Sequence, residues 1–348
     1  MKRLLLFTFS MVLLSFLLPP LLLFGTPTDR GDSAAENTPP PEALVPDSGL
    51  PGDDAPEAAR PITDRDMPLR VWQEGQVKEC SMEEYLPLAL AGEMPAAFHE
   101  EALKAQAVAL RTYLLYCAAH PKDNHPQADI CTSSACCAAR AQEQTLRESW
   151  GEDYEHYMSK IRKAVTDTDG QYLVWEEEPI LAAFHSSSAG RTESGGNLWS
   201  DLPYLLSVST PETAGDVRGL VSTVEVSAEE FRSTIARSIH EAAFPDDAGQ
   251  WLGDLQRNSS GRVKSLTVAG VALSGPTLRS LFSLRSTDFD LVWTGECFRF
   301  TVRGYGHGVG MSQYGAKVMA GNGWGYGAIL SHYYPGAELV TAVAVTRQ

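Results

Sequence analysis

A glutamate set between a small residue and a proline, at the join of two helical patterns, constrains this sequence more than any other feature. Residues 91–116 read AGEMPAAFHEEALKAQAVALRTYLLY. Pro95 disfavours the α conformation at Met94, so a helix arriving from residue 82 must stop near Glu93. A second helix is expected a few residues on, with Glu100 and Glu101 in its first turn, where the helix dipole favours acids. Leu103, Ala107, Leu110 and Leu114 recur at helical spacing and predict a core stripe. Lys104 and Arg111 lie about two turns apart and share another face. One carboxylate at a helix junction is therefore expected beside a wall carrying two cations. A surface glutamate with two snorkelling cations accounts for the same pattern.

The 348 residues, 43% of them apolar, allow one large domain or two small ones with a sizeable core. A net charge of −16 leaves no basic stripe to neutralise phosphates, which excludes nucleic acid as the partner. The N-terminus supplies the address. Lys2 and Arg3 precede residues 4–24, which are apolar except for Thr8, Ser10 and Ser15. At helical rise this run covers about 31 Å, enough to cross a bilayer. Pro19-Pro20 weakens the pattern, and a cleaved signal peptide is the rival, but no small-x-small cleavage site clearly follows. Residues 1–25 are read as an uncleaved anchor with the remainder outside the cell membrane. Residues 26–67, rich in Pro, Asp, Glu and Ala, bury too little to offset ordering entropy and read as a disordered tether.

From residue 68 to 342 the pattern is α+β, one mixed region in two lobes around a cleft. Leu69–Gln73 and Gln76–Cys80 form a hairpin signal, and Ser81 is placed to cap the helix that ends at Glu93. A helix is expected over Ser149–Ala164, then strands over Gln171–Trp175 and Ile180–Phe184. Ser227 with Glu230 makes a capping box. Residues 249–261 read as loop, and Val263–Val268, Phe289–Trp293 and Phe298–Arg303 as strands, with a short helix near 274–282. A further helix is expected over Met311–Ala320.

Two clusters invite chemistry. His125, Cys131, Cys136 and Cys137 fall within thirteen residues, a nitrogen–sulfur set suited to tetrahedral zinc. Ordinary thiols with a loop histidine, or a disulfide at Cys131, are the alternatives. His185 and Ser186-Ser187-Ser188 end a predicted strand, where loops present polar groups. A Ser/His hydrolase is one reading, but no Gly-x-Ser-x-Gly elbow is present; backbone capping or sugar binding is the other. Trp199 and Tyr204 follow and suit either stacking on a sugar or core packing.

The stretch GEMP…EALKAQAVALRTY resembles the signature of the stage II sporulation protein D family. FHSSSAGRTES at 184–194, PYLLSV at 203–208 and GYGHGVGMSQYGA at 304–316 match in the same order. The resemblance spans roughly residues 68–340. It implies a peptidoglycan lytic transglycosylase acting in engulfment during sporulation, on strands stripped of stem peptides and beside a cell-wall amidase. It implies Glu93 as the catalytic residue. Lys104, Arg111, His185, Ser186, Ser187, Tyr204, His307, Gln313 and Tyr314 are the expected substrate contacts. Some members carry His-x5-Cys-x4-His-Cys and bind zinc; here Cys136 replaces a histidine, and His120 or Cys117 are possible fourth ligands. A structural zinc is expected. Leu206 stands where the family commonly has lysine. A relative class of wall-binding, amidase-enhancing modules without catalysis is the competing reading, and a zinc hydrolase a third.

Overall fold

The computed structural model describes residues 61–343 apart from Ser134, Ala135 and Ala139. The expected anchor at 1–25 and most of the expected tether lie outside them. Among the described residues no helix is long and apolar enough to cross a membrane.

The protein is mixed α/β and is built on two hydrophobic cores. The first begins with a hairpin, β1 (Pro68–Gln73) and β2 (Gln76–Ser81), whose turn residues Glu74 and Gly75 both take positive φ. Ser81 then starts α1 (Met82–Glu93): its hydroxyl accepts from the Glu84 N–H, and the Glu84 carboxylate accepts from the Ser81 N–H. After the Pro95 turn comes α2 (Glu100–Ala119), which packs against α1 and several later elements. Sequence periodicity predicted one stripe on α2. The helix is instead buried nearly all round, with Ala102, Ala105, Val108 and Ala109 filling its other faces. Alanines permit this because they let neighbouring helices approach closely on every side.

A short strand, β3 (Ile130–Cys131), pairs in parallel with β1. The predicted helix over 149–164 is two helices, α3 (Glu143–Trp150) and α4 (Tyr154–Thr166), separated at Gly151. Next come β4 (Gln171–Trp175) and β5 (Glu178–Pro179), an antiparallel pair, then β6 (Phe184–His185). The second strand expected here, over 180–184, is mostly irregular: β5 falls in the expected turn, and only Phe184 enters β6.

The second core is an insertion. It holds β7 (Val221–Ser227), α5 (Ala228–Ser238), β8 (Leu252–Arg257), β9 (Val263–Val268), β10 (Val271–Ser274), α6 (Gly275–Leu281), β11 (Phe289–Trp293) and β12 (Cys297–Arg303). Two three-stranded sheets, β10-β9-β8 and β11-β12-β7, close on a stack in which Phe231 lies 4.1 Å from Phe298 and 5.0 Å from Phe282. The strand β8 was expected to be loop; it is mostly exposed, so nothing in its composition betrays it. The chain then returns to the first core through β13 (Met311–Ser312), α7 (Gln313–Gly321), α8 (Tyr326–Tyr333) and β14 (Glu338–Thr341). Helix α8 was not expected, being eight residues in a glycine-flanked stretch.

Two expectations are corrected by one interaction. Arg111 is wholly buried, and its Nε and Nη2 donate to the Asp64 carboxylate at 2.5 and 2.7 Å. Its Nη1 donates to the Gln171 carbonyl at 2.8 Å. Arg111 is therefore not a wall of the site near Glu93, because every face of the guanidinium is engaged inside the core. Asp64 comes from the segment assigned to the tether. Residues 61–67 belong to the fold: the Ile62 N–H donates to the Ala342 carbonyl, and the Asp64 N–H to the Asp169 carboxylate.

Removing one partner of a buried ion pair strands the other charge, which typically costs about 3–5 kcal/mol. Asp64→Ala and Arg111→Ala should each lower the urea-unfolding free energy by about that amount, and the double variant by less than the sum. A loss under ~1 kcal/mol in both single variants would show that the pair is dispensable.

Candidate functional site

Glu93 is the last residue of α1 and is half-buried. Met94 behind it is extended, at φ −130° and ψ 135°, as the following proline requires. The Phe98 N–H donates to the Pro95 carbonyl at 2.9 Å and closes a turn. Lys160 Nζ donates to the Phe98 carbonyl. The Phe98 ring meets Tyr314 edge-on at 5.0 Å, and the Tyr314 N–H donates to the Ser186 carbonyl at 3.0 Å. The serine motif and the glycine-rich motif therefore meet at the turn that follows Glu93.

These two motifs are joined along their length. Strands β6 and β13 pair in parallel, and Ser187 and Tyr305 exchange both backbone hydrogen bonds, at 3.1 and 2.8 Å. Gly310 has φ +70°, and a Cβ there would sit 1.9 Å from the Ala183 carbonyl oxygen, so only glycine fits. At Gly308 a Cβ would meet the Arg262 guanidinium at 2.5 Å; the cation lies flat on bare backbone.

That guanidinium fixes the state of His185. Arg262 Nη2 donates to Ser188 Oγ at 3.0 Å, and an arginine can only donate. The Ser188 hydroxyl proton is then free for His185 Nε2, 2.7 Å away, while Nδ1–H donates to the Val309 carbonyl at 3.2 Å. His185 is a buried neutral imidazole, and burial holds its pKa well below the usual histidine value. Ser188 is wholly buried, so it is no nucleophile, and the Ser/His hydrolase reading fails. His185 and Ser187 are likewise buried parts of the scaffold rather than surfaces offered to a substrate. His307 is partly exposed. Its Nδ1 accepts from the Val309 N–H at 3.1 Å, and burial, then Arg279, lowers its pKa to about 4. Trp199, 50% exposed, lies against His307 with ring centroids 5.0 Å apart.

Two buried carboxylates, unsuspected from the sequence, tie the loops together. Glu212 accepts from the Ser188 N–H at 2.8 Å, from Ser312 Oγ at 2.5 Å and from Thr210 Oγ1. Glu193 accepts from the Ser194 N–H, from Asn197 Nδ2 at 2.8 Å, and from Asn258 Nδ2 and Ser260 Oγ of the inserted lobe. Their exposures are 3% and 1%, so both are fasteners rather than reagents.

The remaining expected contacts are placed unevenly. Lys104 bridges Glu101 at 3.0 Å and Asp167 at 3.1 Å, binding α2 to the end of α4. Gln313 is buried with Nε2 3.4 Å from Gln106 Oε1. Tyr204 is buried with its hydroxyl accepting from the Leu181 N–H, while Leu206 beside it is 45% exposed. Ser186, His307 and Tyr314 keep partial exposure.

His125, Cys131, Cys136 and Cys137 come together elsewhere, with their ligand atoms all within 4.8 Å of one another. His125 Nε2 lies 3.5 Å from Cys136 Sγ and 3.4 Å from Cys137 Sγ, and the two sulfurs are 3.8 Å apart. Zinc–sulfur bonds of about 2.3 Å and zinc–nitrogen bonds of about 2.0 Å at tetrahedral angles require roughly these separations. The adjacent cysteines therefore both point inward, and the donor set fits a closed four-ligand metal centre. Asn124 Nδ2 and the Cys131 N–H add contacts to the Cys136 and Cys137 sulfurs, each at 3.4 Å. Neither proposed substitute is needed: His120 stacks on Tyr116, and the buried Cys117 is not part of the four-residue cluster. None of the six cysteines forms a disulfide.

A family model described as Stage II sporulation protein matches residues 72–175, from the end of β1 through the glutamate-ended α1, the buried α2, the cysteine loop and α3–α4 to the end of β4. Stage II sporulation protein D of Bacillus amyloliquefaciens is 35% identical over 268 residues, 76% of either chain. That of Bacillus subtilis is 33% identical, over 77% of either chain. The chain belongs to the stage II sporulation protein D family. An amidase enhancer of Bacillus subtilis is also similar, 28% identical over 72% of this chain and 40% of its own.

Both histidines are neutral in the fold at neutral pH. In the unfolded chain histidine takes up a proton near pH 6.5; His307 in the fold does so only at about pH 4. Stability is thus fully present above pH 6.5 and is lost as pH falls toward 4. Melting temperatures recorded from pH 7 to 4.5 should fall, and His307→Gln should flatten the slope. An unchanged slope in that variant would remove His307 from the linkage.

Proposed function

We propose that the chain is a membrane-anchored lytic transglycosylase that cleaves peptide-free peptidoglycan strands during engulfment in sporulation. Glu93 carries the proton. Protonating the glycosidic oxygen requires a carboxyl that is neutral at the start of the reaction. Hydrolases add a second carboxylate, for water or as nucleophile. The observation that carries the reading is the state of Glu193 and Glu212, the two buried acids that tie the serine and glycine-rich loops together. Both are buried and saturated with protein hydrogen bonds, so neither is available for that role. A substrate that brings its own nucleophile removes the need. The 6-hydroxyl of N-acetylmuramic acid attacks C1, the bond to N-acetylglucosamine breaks with Glu93 donating, and Glu93 then takes the hydroxyl proton. The product is a 1,6-anhydro end, and no water is consumed.

Ser186, Tyr314, His307 and Trp199 lie on partly exposed surfaces where a sugar chain is accessible to them. The Lys2-Arg3 flank and the apolar run behind it support the anchor, with the folded part on the outer side facing the septal wall. Cooperation with a cell-wall amidase fits a substrate stripped of peptides. The amidase-enhancer relative supports a second reading, a wall-binding module without chemistry.

Membranes from cells making the full chain should release 1,6-anhydro ends from peptide-free strands, read by mass spectrometry. Glu93→Gln should reduce release by about 10⁴-fold, the upper range of acid–base contributions, with the fold intact. Reducing ends, or an unaffected Glu93→Gln, would sink the mechanism. No product from wild type would favour the binding module, and activity recovered only in the soluble fraction would remove the anchor.

The metal centre is proposed to hold one zinc in a structural role. Its four ligands leave no open position, and the Ala141 N–H bonds to the Leu88 carbonyl, so the loop braces the helix that ends at Glu93. Cys131→Ser should lose zinc by elemental analysis and lower the melting temperature together. A stable, metal-free wild type would contradict it.

A further inference from the structure

The wall of two cations expected beside Glu93 is not where the pattern put it. Arg111 is sealed in the core with Asp64, and Lys104 is held between Glu101 and Asp167. The fold brings two other lysines to the turn after Glu93. Lys160 turns its ammonium to the Phe98 carbonyl and so spends its charge on backbone. Lys317, one turn along α7 from Tyr314, lies over the rings of both Phe98 and Tyr314, 5.5 and 5.6 Å from their centroids. It is half-exposed. Asp216 lies in its field and keeps its negative charge, its carboxylate accepting from the Thr213 N–H at 2.9 Å and from its hydroxyl at 2.8 Å, but among the described residues no ion pair joins it to Lys317.

The position is close to the chemistry. Pro95 is the second residue after Glu93, and the Pro95–Phe98 turn spans under about 7 Å, so the Cα atoms of Glu93 and Phe98 are within about 14 Å. Two aromatic faces fix the aliphatic stem and ammonium of Lys317 without neutralising it, since a ring quadrupole orients a cation but carries no net charge. A lysine ammonium is a compact point charge suited to one carboxylate, unlike the planar fork of arginine.

We propose that Lys317 reads the free lactyl carboxylate of a peptide-free muramic acid residue. This deepens the transglycosylase reading and rests on it. In a glycan strand without stem peptides that carboxylate is the ionised group of each muramic acid. In intact peptidoglycan the same carbon is an amide, bulky and uncharged. A cation fixed beside the turn that follows the cleaving acid distinguishes the two by charge. Lys317 is a specificity-determining contact rather than a catalytic residue.

The test separates binding from turnover. In the full-length Glu93→Gln background, which does not consume the ligand, calorimetry compares short peptide-free strands with the same strands converted to methylamides. Lys317→Met keeps the stem over the rings and removes the charge. It should weaken binding to the free-acid strands about tenfold, the worth of one charge-assisted contact at a half-exposed position, and leave the methylamide strands unaffected. Lys317→Arg should restore most of the loss. Should Lys317→Met fail to fold, a salt titration of the parent reads the same contact: affinity for free-acid strands should fall with salt and that for methylamides should not. Equal affinity of the parent for both strands, an equal loss on both in the variant, or binding to neither overturns the proposal. The outcome is independent of product formation: carboxylate-dependent binding by a wild type that makes no anhydro ends would sink the transglycosylase reading and leave Lys317 in place.

Discussion

The first core depends on the pairing of Arg111 with Asp64. Arg111 sits in the middle of the helix that every neighbouring element touches, and its charge is tolerable there only because a carboxylate and two carbonyls surround it. Asp64 also accepts from the Gly170 N–H, and its own N–H is held by Asp169. The start of the folded chain, the centre of α2 and the turn before β4 are thereby fixed to one another.

Around the site, polar burial does what apolar packing does elsewhere. The loops of the serine and glycine-rich motifs contribute little side-chain volume, so hydrogen bonds must define their shape. Glu212 draws Ser188 and Ser312 together, and Glu193 ties the same region to Asn258 and Ser260 in the inserted lobe. Arg262 sets the Ser188–His185 chain in one direction. Each of these groups would be costly if left unsatisfied, so the arrangement is close to all-or-none.

Local signals in the sequence were reliable where one residue dictates the backbone. Ser81, Glu84 and Pro95 set both ends of α1, and Ser227 caps α5 as its spacing predicted. The four metal-ligand candidates were legible because loop cysteines have few other uses. What escaped was set by distant partners. Asp64 sits in a stretch whose composition is that of a tether, and distant partners, Arg111 47 residues on and the 169–170 turn, give it a place. Lys104 and Arg111 share a helix face, as read, but the face turns to other carboxylates. Glu193 and Glu212 sit in or beside recognisable motifs, and no pattern distinguishes a fastening acid from a reacting one. Strand β8 and helix α8 are short or exposed and leave no periodic trace.

The inserted lobe enters and leaves the first core at adjoining points. Val221 and Arg303 are partners across the antiparallel pair β7–β12, and the Gly304 N–H reaches the Leu220 carbonyl at 2.8 Å. A segment of more than eighty residues is thus attached by a doorway one hydrogen bond wide, and it carries its own aromatic stack. Such a module can be enlarged, trimmed or exchanged in evolution without moving the walls on either side of the doorway. Its hold on the first core beyond that doorway includes the Asn258 and Ser260 clasp on Glu193 and the reach of Arg262 to Ser188, so a replacement would have to supply equivalents of these few polar groups to keep the glycine-rich loop in shape.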